Sequence, residues 1–349
     1  MKRAVIRSGL EALYFTGAHL ALEGLLGGIG AILTLHHVRP SRAATFQPNR
    51  LLEVSPEFLA AVIEELRRAN FSFVSLDEMH RRLIARDSSS RFVCLTFDDG
   101  YRDNLFWAYP LLKKYEVPFA IYVPTSFPEG RGDLWWLILE DVIAATSDLE
   151  LEIGGEIRRF ACGGPAEKQA AFDAVYWWLR SLANEGELRA IVQKLAQGRG
   201  IDPAARCAQL CMSWQEIATL AADPLVTIGA HTVNHLMLRK ASDAVVRREM
   251  AESAATIQAR LGIRPAHLSY PVGDPTSAGP REFAFARELG FKTAVTTRPG
   301  VLFPEHRDHL TALPRISLNG EFQRLRYVRV LTSGAATALW NGFKRVDAA

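Results

Sequence analysis

Short apolar runs alternate with helical patterns along most of this chain. Seven of the runs are mostly unbroken, which is typical of parallel strands that are buried on both faces. They are Ala31–His36, Phe92–Phe97, Phe119–Val123, Val226–Gly229, Leu268–Tyr270, Thr293–Thr296 and Arg315–Leu318. Seven alternations of strand and helix predict an α/β fold that closes as a barrel.

Capping residues mark the ends of several helices between the predicted strands. Ser55 followed by Pro56 provides an N-cap and a proline at the first helical position. Ser213 and Glu216 have the spacing of a capping box. Gly290 ends the helix before the sixth strand, because glycine readily adopts the left-handed conformation that follows a helix C-terminus.

Residues 130–212 interrupt this alternation and are predicted to be a largely helical insertion on the barrel, or a small lid domain. They contain helical runs over 166–182 and 185–198, a predicted hairpin around Gly154–Gly155, and the pairs Trp135–Trp136 and Trp177–Trp178. For Trp177–Trp178, which falls in a helical pattern, a core position is favoured and a sugar-binding platform is the alternative. Trp135–Trp136 fits the core and a sugar-binding surface equally well, and Trp135 is a candidate substrate contact.

The two ends of the chain are predicted to lie outside the barrel, which spans residues 31–320. Residues 1–30 are predicted to form an amphipathic helix, whose apolar face would contain Leu10, Leu13, Tyr14, Phe15, Leu20, Leu22, Leu25 and Leu26. Glu11, His19 and Glu23 interrupt the apolar run, which disfavours a membrane-spanning helix and a cleaved signal. Packing on the body of the protein is favoured, and peripheral membrane contact through residues 5–30 is the alternative. Residues 321–349 are predicted to form a covering helix and a tail.

The composition is that of an ordinary globular protein. Of the 349 residues, 48% are hydrophobic and 23% are charged, which disfavours a disordered or low-complexity chain. The net charge of +3 gives no reason to expect nucleic acid as a partner. Four cysteines without a Cys-x-x-Cys pair do not form a disulfide framework, and they favour a reducing, cytoplasmic compartment.

Two adjacent carboxylates follow the second predicted strand. The segment Thr96–Gly100 places Asp98 and Asp99 at the carboxyl end of an apolar strand, where βα barrels build their active sites. Adjacent carboxylates repel each other, so they need a cation or different protonation states. One of them could bind a metal while the other accepts a proton, and an ordinary turn is the alternative.

A second polar segment, Gly229–His235, follows the fourth predicted strand. His231 and His235 are four residues apart, and on a helical turn they would share one face and grip one metal ion. Two ordinary polar histidines are the alternative. One Asp with two His is a three-ligand set that leaves positions open for water and substrate, and it suits zinc, cobalt or nickel.

Together, Thr96–Gly100 and His231–His235 resemble two motifs of the polysaccharide deacetylase family, carbohydrate esterase family 4. The resemblance implies a distorted (β/α)7 barrel, in agreement with the seven predicted strands. It implies that Asp98 is the catalytic base, and that Asp99 and the two histidines hold a divalent metal, usually zinc. The implied reaction is the hydrolysis of N-acetyl groups from amino sugars of a polymer.

Weaker similarities extend over most of residues 31–320. Leu33–Val38 resembles the first strand of many members, and Ser269–Gly273 resembles the third family motif. These segments add four candidate substrate-binding residues: His36, His37, Tyr270 and Pro271.

The third motif departs from the family pattern at two positions. Many members have an arginine that pairs with the catalytic base, where this chain has Ser269, and Arg315 is the candidate replacement. The family tyrosine whose backbone N–H faces the oxyanion is replaced by Val272, which keeps that backbone donor. No clear Leu-x-His motif supplies the general acid. The candidates for that role are His36, His37, His306 and His309.

The resemblance therefore predicts a metal-dependent deacetylase whose partner is an N-acetylated glycan or its oligosaccharide or lipid-linked precursor. A non-catalytic carbohydrate-binding protein on the same fold is one alternative. A metal hydrolase of another acyl group or C–N bond is the other. The expected location is cytoplasmic, with peripheral contact at the inner membrane face as an alternative, and the oligomeric state is not indicated by the sequence.

Overall fold

Strands and helices alternate along the computed structural model, which describes residues 2–348. The strands are β1 (Gly30–Leu35), β2 (His37–Val38), β3 (Glu53–Val54), β4 (Ser72–Phe73), β5 (Phe92–Phe97), β6 (Phe119–Val123), β7 (Asp148–Ile153), β8 (Glu156–Ala161), β9 (Val226–Ala230), β10 (His267–Ser269), β11 (Thr293–Pro299) and β12 (Leu313–Ser317). The helices are α1 (Lys2–Phe15), α2 (Ala18–Leu26), α3 (Pro56–Arg68), α4 (Leu76–Ala85), α5 (Tyr109–Lys114), α6 (Trp135–Ala144), α7 (Pro165–Ser181), α8 (Glu185–Gln197), α9 (Pro203–Leu210), α10 (Trp214–Ala221), α11 (Asp243–Leu261), α12 (Pro280–Glu288), α13 (Leu325–Thr332) and α14 (Ala335–Trp340).

Parallel strands hydrogen-bond in a ring at the centre of the molecule. The ring order is β1-β12-β11-β10-β9-β6-β5, and β5 pairs with β1 along its whole length. Seven strands of the described chain thus close a barrel, and each of them coincides with one of the seven apolar runs. The predicted (β/α)7 barrel is confirmed.

Side chains alternate along each barrel strand between the interior and the surrounding helices. On β5, Val93, Leu95 and Phe97 belong to the cluster that the outer helices cover. Cys94, one residue away, belongs to the cluster that contains Ile32 of the neighbouring strand. The interior-facing side chains of β5 are therefore those of Phe92, Cys94 and Thr96. Asp98 is the next residue on this face, and it lies at the carboxyl end of the barrel.

The segment between β6 and β9 has a hydrophobic core of its own. It consists of α6, the β7–β8 hairpin and α7 to α9, and its core contains Trp135, Val175 and Leu188. The hairpin turns at Gly154 and Gly155, which both have positive φ angles of 64° and 82°. The predicted hairpin is confirmed, and the two predicted helical runs correspond to α7 and α8.

The ends of the chain pack together, but not as single helices. The predicted N-terminal helix is interrupted at Gly17, where φ is 72°, and it forms α1 and α2. The predicted C-terminal helix is interrupted at Gly334, where φ is 76°, and it forms α13 and α14. Leu10 of α1 packs against Tyr327 and Val330 of α13. Over the described residues, no helix has the length and apolar character needed to cross a membrane.

Candidate active site

The two adjacent carboxylates lie buried at the carboxyl end of β5 and point to different partners. The N–H of Asp98 continues the strand pairing by donating to the carbonyl of Leu35 at 3.0 Å. Asp99 then adopts a left-handed conformation with φ of 70°, which is uncommon for a residue other than glycine. This turn directs the Asp98 carboxylate towards the barrel interior and the Asp99 carboxylate towards the loop after β9.

Arg315 of β12 holds the Asp98 carboxylate through two hydrogen bonds. Nη1 donates to Oδ1 at 2.8 Å and Nη2 donates to Oδ2 at 2.7 Å. The guanidinium also bonds the Thr296 carbonyl at 2.8 Å and the Ser269 hydroxyl at 3.1 Å, so it is fixed in place. Burial is the largest single influence and would raise the pKa of Asp98, but the charge and hydrogen bonds of Arg315, together with the charges of His231 and His36, lower the pKa overall. Asp98 is therefore ionised at neutral pH.

Asp99, His231 and His235 form a second group beside this ion pair. The Asp99 Oδ1 atom lies 3.4 Å from Nε2 of His231 and 3.3 Å from Nε2 of His235. One ligand atom from each of the three buried residues lies within 4.8 Å of the others. Although burial raises the pKa of Asp99, its two histidine neighbours lower the pKa well below its usual value.

The donor atoms of this group fit a divalent metal. Oδ1 of Asp99 is buried and accepts no hydrogen bond from the described residues, although both imidazoles lie beside it. Nδ1 of His231 lies 2.7 Å from the carbonyl oxygen of Ser269, which can only accept. Nδ1 therefore carries the proton, and Nε2 keeps its lone pair towards Asp99, as expected for a metal ligand. One carboxylate and two imidazoles suit zinc, cobalt or nickel.

The two histidines are not on a helix, in contrast to the prediction from their spacing. Residues 231–235 form a loop after β9, with positive φ angles of 63° at Thr232 and 54° at His235. The Thr232 hydroxyl accepts a hydrogen bond from the His235 N–H at 3.1 Å and closes this loop. Strained backbone, rather than helical periodicity, brings the two imidazoles together.

A cavity of about 370 Å³ opens above the two groups. Asp99, His235, His36 and Val272 lie in its wall, and the remaining wall includes several aromatic residues of α6 and α7. Val272 has a φ of 62°, which is strained for a β-branched residue. No hydrogen bond within residues 2–348 uses its N–H. The cavity wall thus contains two of the three possible metal ligands, Asp99 and His235, together with His36 and Val272, and Asp98 is the chain neighbour of Asp99.

Comparison with known families identifies this arrangement. The family model described as polysaccharide deacetylase matches residues 85–152 and 168–294, which is more than half of the chain. The chain belongs to the polysaccharide deacetylase family. It is therefore a hydrolase of the N-acetyl deacetylase type, from a metal-dependent family. Asp98, Asp99 and both histidines lie within the matched residues, whereas Arg315 lies outside them.

Solved structures of deacetylases share the fold of this deacetylase. The Streptococcus pyogenes deacetylase PplD, in complex with acetate, has 19% identity and a TM-score of 0.58, and covers 86% of this chain and 97% of its own. IcaB from Ammonifex degensii has 18% identity and a TM-score of 0.54, with 88% and 97% covered. A de-N-acetylase from Aggregatibacter actinomycetemcomitans has 14% identity and a TM-score of 0.54, with 86% and 99% covered. No curated protein matches the chain by sequence.

Some of the substrate-binding and acid candidates do not reach the cavity of the deacetylase. The Tyr270 side chain is buried in the main core, and its hydroxyl bonds the Thr311 carbonyl at 2.8 Å. The buried ring of His37 bonds Asp103 at 2.6 Å and stacks on Tyr101. These contacts give Tyr270 and His37 structural positions, because their polar atoms face the protein and not the cavity.

Pro271, His306 and His309 also lie outside the cavity wall. Pro271 is buried, and its carbonyl accepts a bond from the Gly273 N–H at 2.6 Å, which supports the strained turn at Val272. His306 is buried against Phe303, and burial lowers its pKa to about 4. His309 is exposed at the surface. Trp135 does lie in the wall, where its ring stacks on Tyr176.

Two residues that the sequence analysis did not single out hold the metal-ligand loop. Glu249 of α11 is buried, and its Oε2 accepts from the N–H groups of Val233 at 3.0 Å and Asn234 at 2.8 Å. Arg189 of α8 donates to the carbonyls of Asn234 at 3.1 Å and His235 at 3.2 Å. Their positions in amphipathic helices gave no sign of this role, since the contacts join segments distant in the sequence.

Proposed function

We propose that the deacetylase hydrolyses N-acetyl groups of amino sugars in a polysaccharide or its oligosaccharide or lipid-linked precursor, with Asp98 as the base. The observation that carries this proposal is the juxtaposition at the cavity floor. An ionised carboxylate, held by Arg315, stands directly beside the Asp99–His231–His235 group. Hydrolysis of an unactivated amide needs a base for water and stabilisation of the developing oxyanion, and this juxtaposition supports these two roles for Asp98 and the metal-ligand group.

Asp99, His231 and His235 would hold a divalent metal, with zinc favoured and cobalt or nickel as alternatives. When bound, such an ion supplies Lewis-acid chemistry that polarises the amide carbonyl and acidifies water. Oδ1 of Asp99 and the Nε2 atoms of the histidines are the atoms that face this position. The buried setting strengthens the attraction between these donors and a cation.

Each of the remaining residues has a role in the same hydrolysis. Asp98 accepts one proton from the water that attacks the acetyl carbonyl, and Arg315 keeps that carboxylate in a single orientation. The free N–H of Val272 donates to the oxygen of the tetrahedral intermediate. When the C–N bond breaks, the departing nitrogen takes a proton, and the products are acetate and the free amine.

His36 is the proposed proton donor to that nitrogen. Of the four candidate histidines in the described chain, His36 is the one in the cavity wall, at the end of β1. Burial lowers its pKa, and the charges of Asp99 and Asp98 oppose this shift by favouring the protonated ring. Its backbone is fixed because Asn104 donates to its carbonyl at 2.8 Å.

Two isosteric variants separate the base from the metal ligand. Asp98→Asn should bind zinc as the wild type does and should lose acetate release by at least about a hundredfold, the usual range for a general base. Asp99→Asn should lose both zinc binding and acetate release. Zinc content is measured by elemental analysis, and acetate release is measured on N-acetylglucosamine oligomers. An Asp98→Asn enzyme with full turnover would show that another group is the base.

A further variant tests the acid. His36→Gln removes the titrating proton while keeping a polar side chain of similar size. We expect its rate to fall and the alkaline limb of its pH–rate profile to disappear, with zinc content unchanged. His309→Gln is the matched control, because His309 is exposed and lies outside the cavity wall. An unchanged alkaline limb in His36→Gln would assign the proton donor elsewhere.

A further inference from the structure

The insertion between β6 and β9 forms an aromatic wall on one side of the active-site cavity. Trp135 and Trp136 reach this wall from α6, and Phe172, Tyr176 and Trp177 reach it from α7. Trp135 and Trp136 are almost fully buried, with 3% and 7% exposed. Trp177, in contrast, is 62% exposed although its neighbours are packed. The prediction that Trp177 is a core residue is therefore wrong.

The ring of Trp177 is held in place by its neighbours. Tyr176 stacks on Trp135 with centroids 5.1 Å apart and on Phe172 at 5.5 Å, which forms a packed base. Trp177 stands perpendicular to Tyr176 at 5.3 Å, and the Arg180 guanidinium lies 5.4 Å from the Trp177 ring. Arg180 is in turn fixed by Asp274, at 2.8 Å, in the loop that follows Val272 and Gly273. A supported, exposed ring loses little conformational entropy when it binds a ligand.

We propose that Trp177 forms a subsite that stacks on a sugar residue next to the one that is deacetylated. One face of a pyranose ring carries C–H groups, and such a face packs on an aromatic ring, while sugar hydroxyls need acceptors at the edge. Asp173 and Asp274 supply carboxylates in the same cavity wall. This inference rests on the proposed function, and it makes the enzyme selective for oligomers over single amino sugars.

The subsite is tested by comparing substrates of different length. In Trp177→Ala, KM for the N-acetylglucosamine pentamer should rise about tenfold, the scale of one lost aromatic contact. Its kcat should stay unchanged, and kcat/KM for monomeric N-acetylglucosamine should not change. Trp177→Tyr should restore most of the pentamer KM. Trp107→Ala is the matched control, because Trp107 is 46% exposed and lies outside the cavity wall.

A binding measurement tests the subsite without relying on the proposed catalytic activity. Calorimetric titration of the pentamer into Asp98→Asn and into Asp98→Asn/Trp177→Ala measures the subsite without turnover. A weaker affinity in the double variant supports the subsite, even if the wild type released no acetate and the proposed function failed. Equal affinities, or an equal rise of KM for monomer and pentamer, would overturn the subsite.

A second, independent observation concerns the terminal apolar surface, defined as the exposed side chains Leu22, Leu25, Leu339, Trp340 and Phe343. They belong to α2, to α14 and to the residues just after α14, and these two helices contact each other. The exposed positions of α2 carry no charge, because its one charged residue, Glu23, is bound by Arg91. A soluble surface rarely exposes so many large apolar side chains together without a partner.

The charges around the terminal apolar surface favour a negatively charged partner. Glu11 of the adjoining α1 is bound by Arg326 at 2.6 Å, so it does not repel an anion. Lys344 is exposed directly after Phe343 and adds a positive charge at the edge of this surface. We propose that the terminal apolar surface docks on a bilayer that contains anionic phospholipids, with Trp340 at the level of the headgroups.

Vesicle sedimentation with the full chain tests this proposal. We expect binding to phosphatidylcholine vesicles that contain phosphatidylglycerol, weaker binding to pure phosphatidylcholine, and loss of the difference at high salt. Leu25→Ser/Trp340→Ser should reduce binding at least tenfold, while acetate release stays unchanged. Ile157→Ser is the matched control, an exposed apolar residue on β8.

Light scattering, which measures the oligomeric state, tests whether a second copy of the chain covers the terminal apolar surface instead. If the protein is a dimer that Leu25→Ser/Trp340→Ser dissociates, and if it ignores both kinds of vesicle, the membrane proposal is overturned. Equal binding of the double variant and the wild type to anionic vesicles would overturn it as well.

Discussion

Asp98 and Asp99 are neighbours in the chain, yet their surroundings differ, and the difference suits the separate roles proposed for them. Asp98 meets a fixed guanidinium, which keeps it ionised and leaves it able to accept a proton. Asp99 meets two imidazole nitrogens, which complete a ligand set for a cation. A pair of adjacent carboxylates in one buried site would otherwise raise the pKa of one member. The left-handed turn at Asp99 makes this division of roles geometrically feasible.

The effect of Arg315 on the base is testable through pH. Asp98 acts as a base only when it is deprotonated, and Arg315 lowers its pKa, so the acidic limb of kcat/KM lies at low pH in the wild type. In Arg315→Lys the charge remains but the paired hydrogen bonds are lost, so the pKa of Asp98 rises. The acidic limb should therefore move to higher pH in the measured profile.

Arg324→Lys is the control for this shift, because Arg324 is an exposed arginine that pairs with Glu11 of α1 and not with Asp98. Arg315→Ala is less suitable, since it leaves a buried carboxylate without its partner at a cost of about 3–5 kcal/mol. An acidic limb that stays in place in Arg315→Lys would contradict the role given to this ion pair.

At the scale of elements, strand positions were predictable and the metal-ligand loop was not. Each apolar run became a barrel strand because a strand buried on both faces needs continuous apolar residues. His231 and His235 have helical spacing, but Thr232 and His235 adopt positive φ angles that no periodicity encodes. The ligands could be named from their resemblance to a family, whereas the backbone that presents them could not.

The residues that hold the loop 231–235 in place could not be predicted from the sequence for a related reason. Glu249 reads as an ordinary polar position of α11, and its function depends on a contact with Val233 and Asn234 across 15 or 16 positions of the chain. The exposure of Trp177 could not be predicted, because a helical pattern does not show which face of the insertion lies towards the barrel. The sequence pattern predicts where helices and strands lie. The roles of these residues depend on how the helices and strands pack against one another, which the pattern does not contain.

Glu249→Gln tests the support of the metal-ligand loop. The amide oxygen can still accept from the two N–H groups, but the negative charge is lost and the new NH2 group faces the Asn234 side-chain NH2, which also donates. The two imidazoles therefore become less fixed. We expect zinc affinity to fall about 10- to 100-fold, as for other residues that orient metal ligands. Competition with a zinc-binding dye measures this change. Glu252→Gln on the exposed face of α11 is the control, and equal zinc affinities of the two variants would refute the assignment.

At the scale of the molecule, a barrel and an insertion with separate cores meet at one cavity. The barrel supplies Asp98, Asp99, His36 and Arg315, and the insertion supplies the aromatic wall and the Arg189 contact to the ligand loop. The metal-ligand group thus joins the loops after β5 and β9, and Arg189 of α8 supports the second of these loops. Binding at such a junction stabilises the folded chain as a whole.

This coupling predicts a rise in Tm when zinc is added to metal-stripped protein. At a free zinc concentration 100 times Kd, the stabilisation is about 2.7 kcal/mol. Differential scanning fluorimetry should show the rise in the wild type and in Asp98→Asn, but not in Asp99→Asn or His231→Gln. A similar rise in all four proteins would show that zinc binds elsewhere.

The central claim is that a metal-dependent hydrolysis of N-acetyl groups takes place at this site. The most direct test measures acetate released from N-acetylglucosamine oligomers by metal-stripped protein, before and after zinc or cobalt is restored, beside Asp98→Asn. The proposal predicts no release without metal, release after restoration, and none from Asp98→Asn in either state. Release that is independent of metal, or that survives in Asp98→Asn, would contradict it.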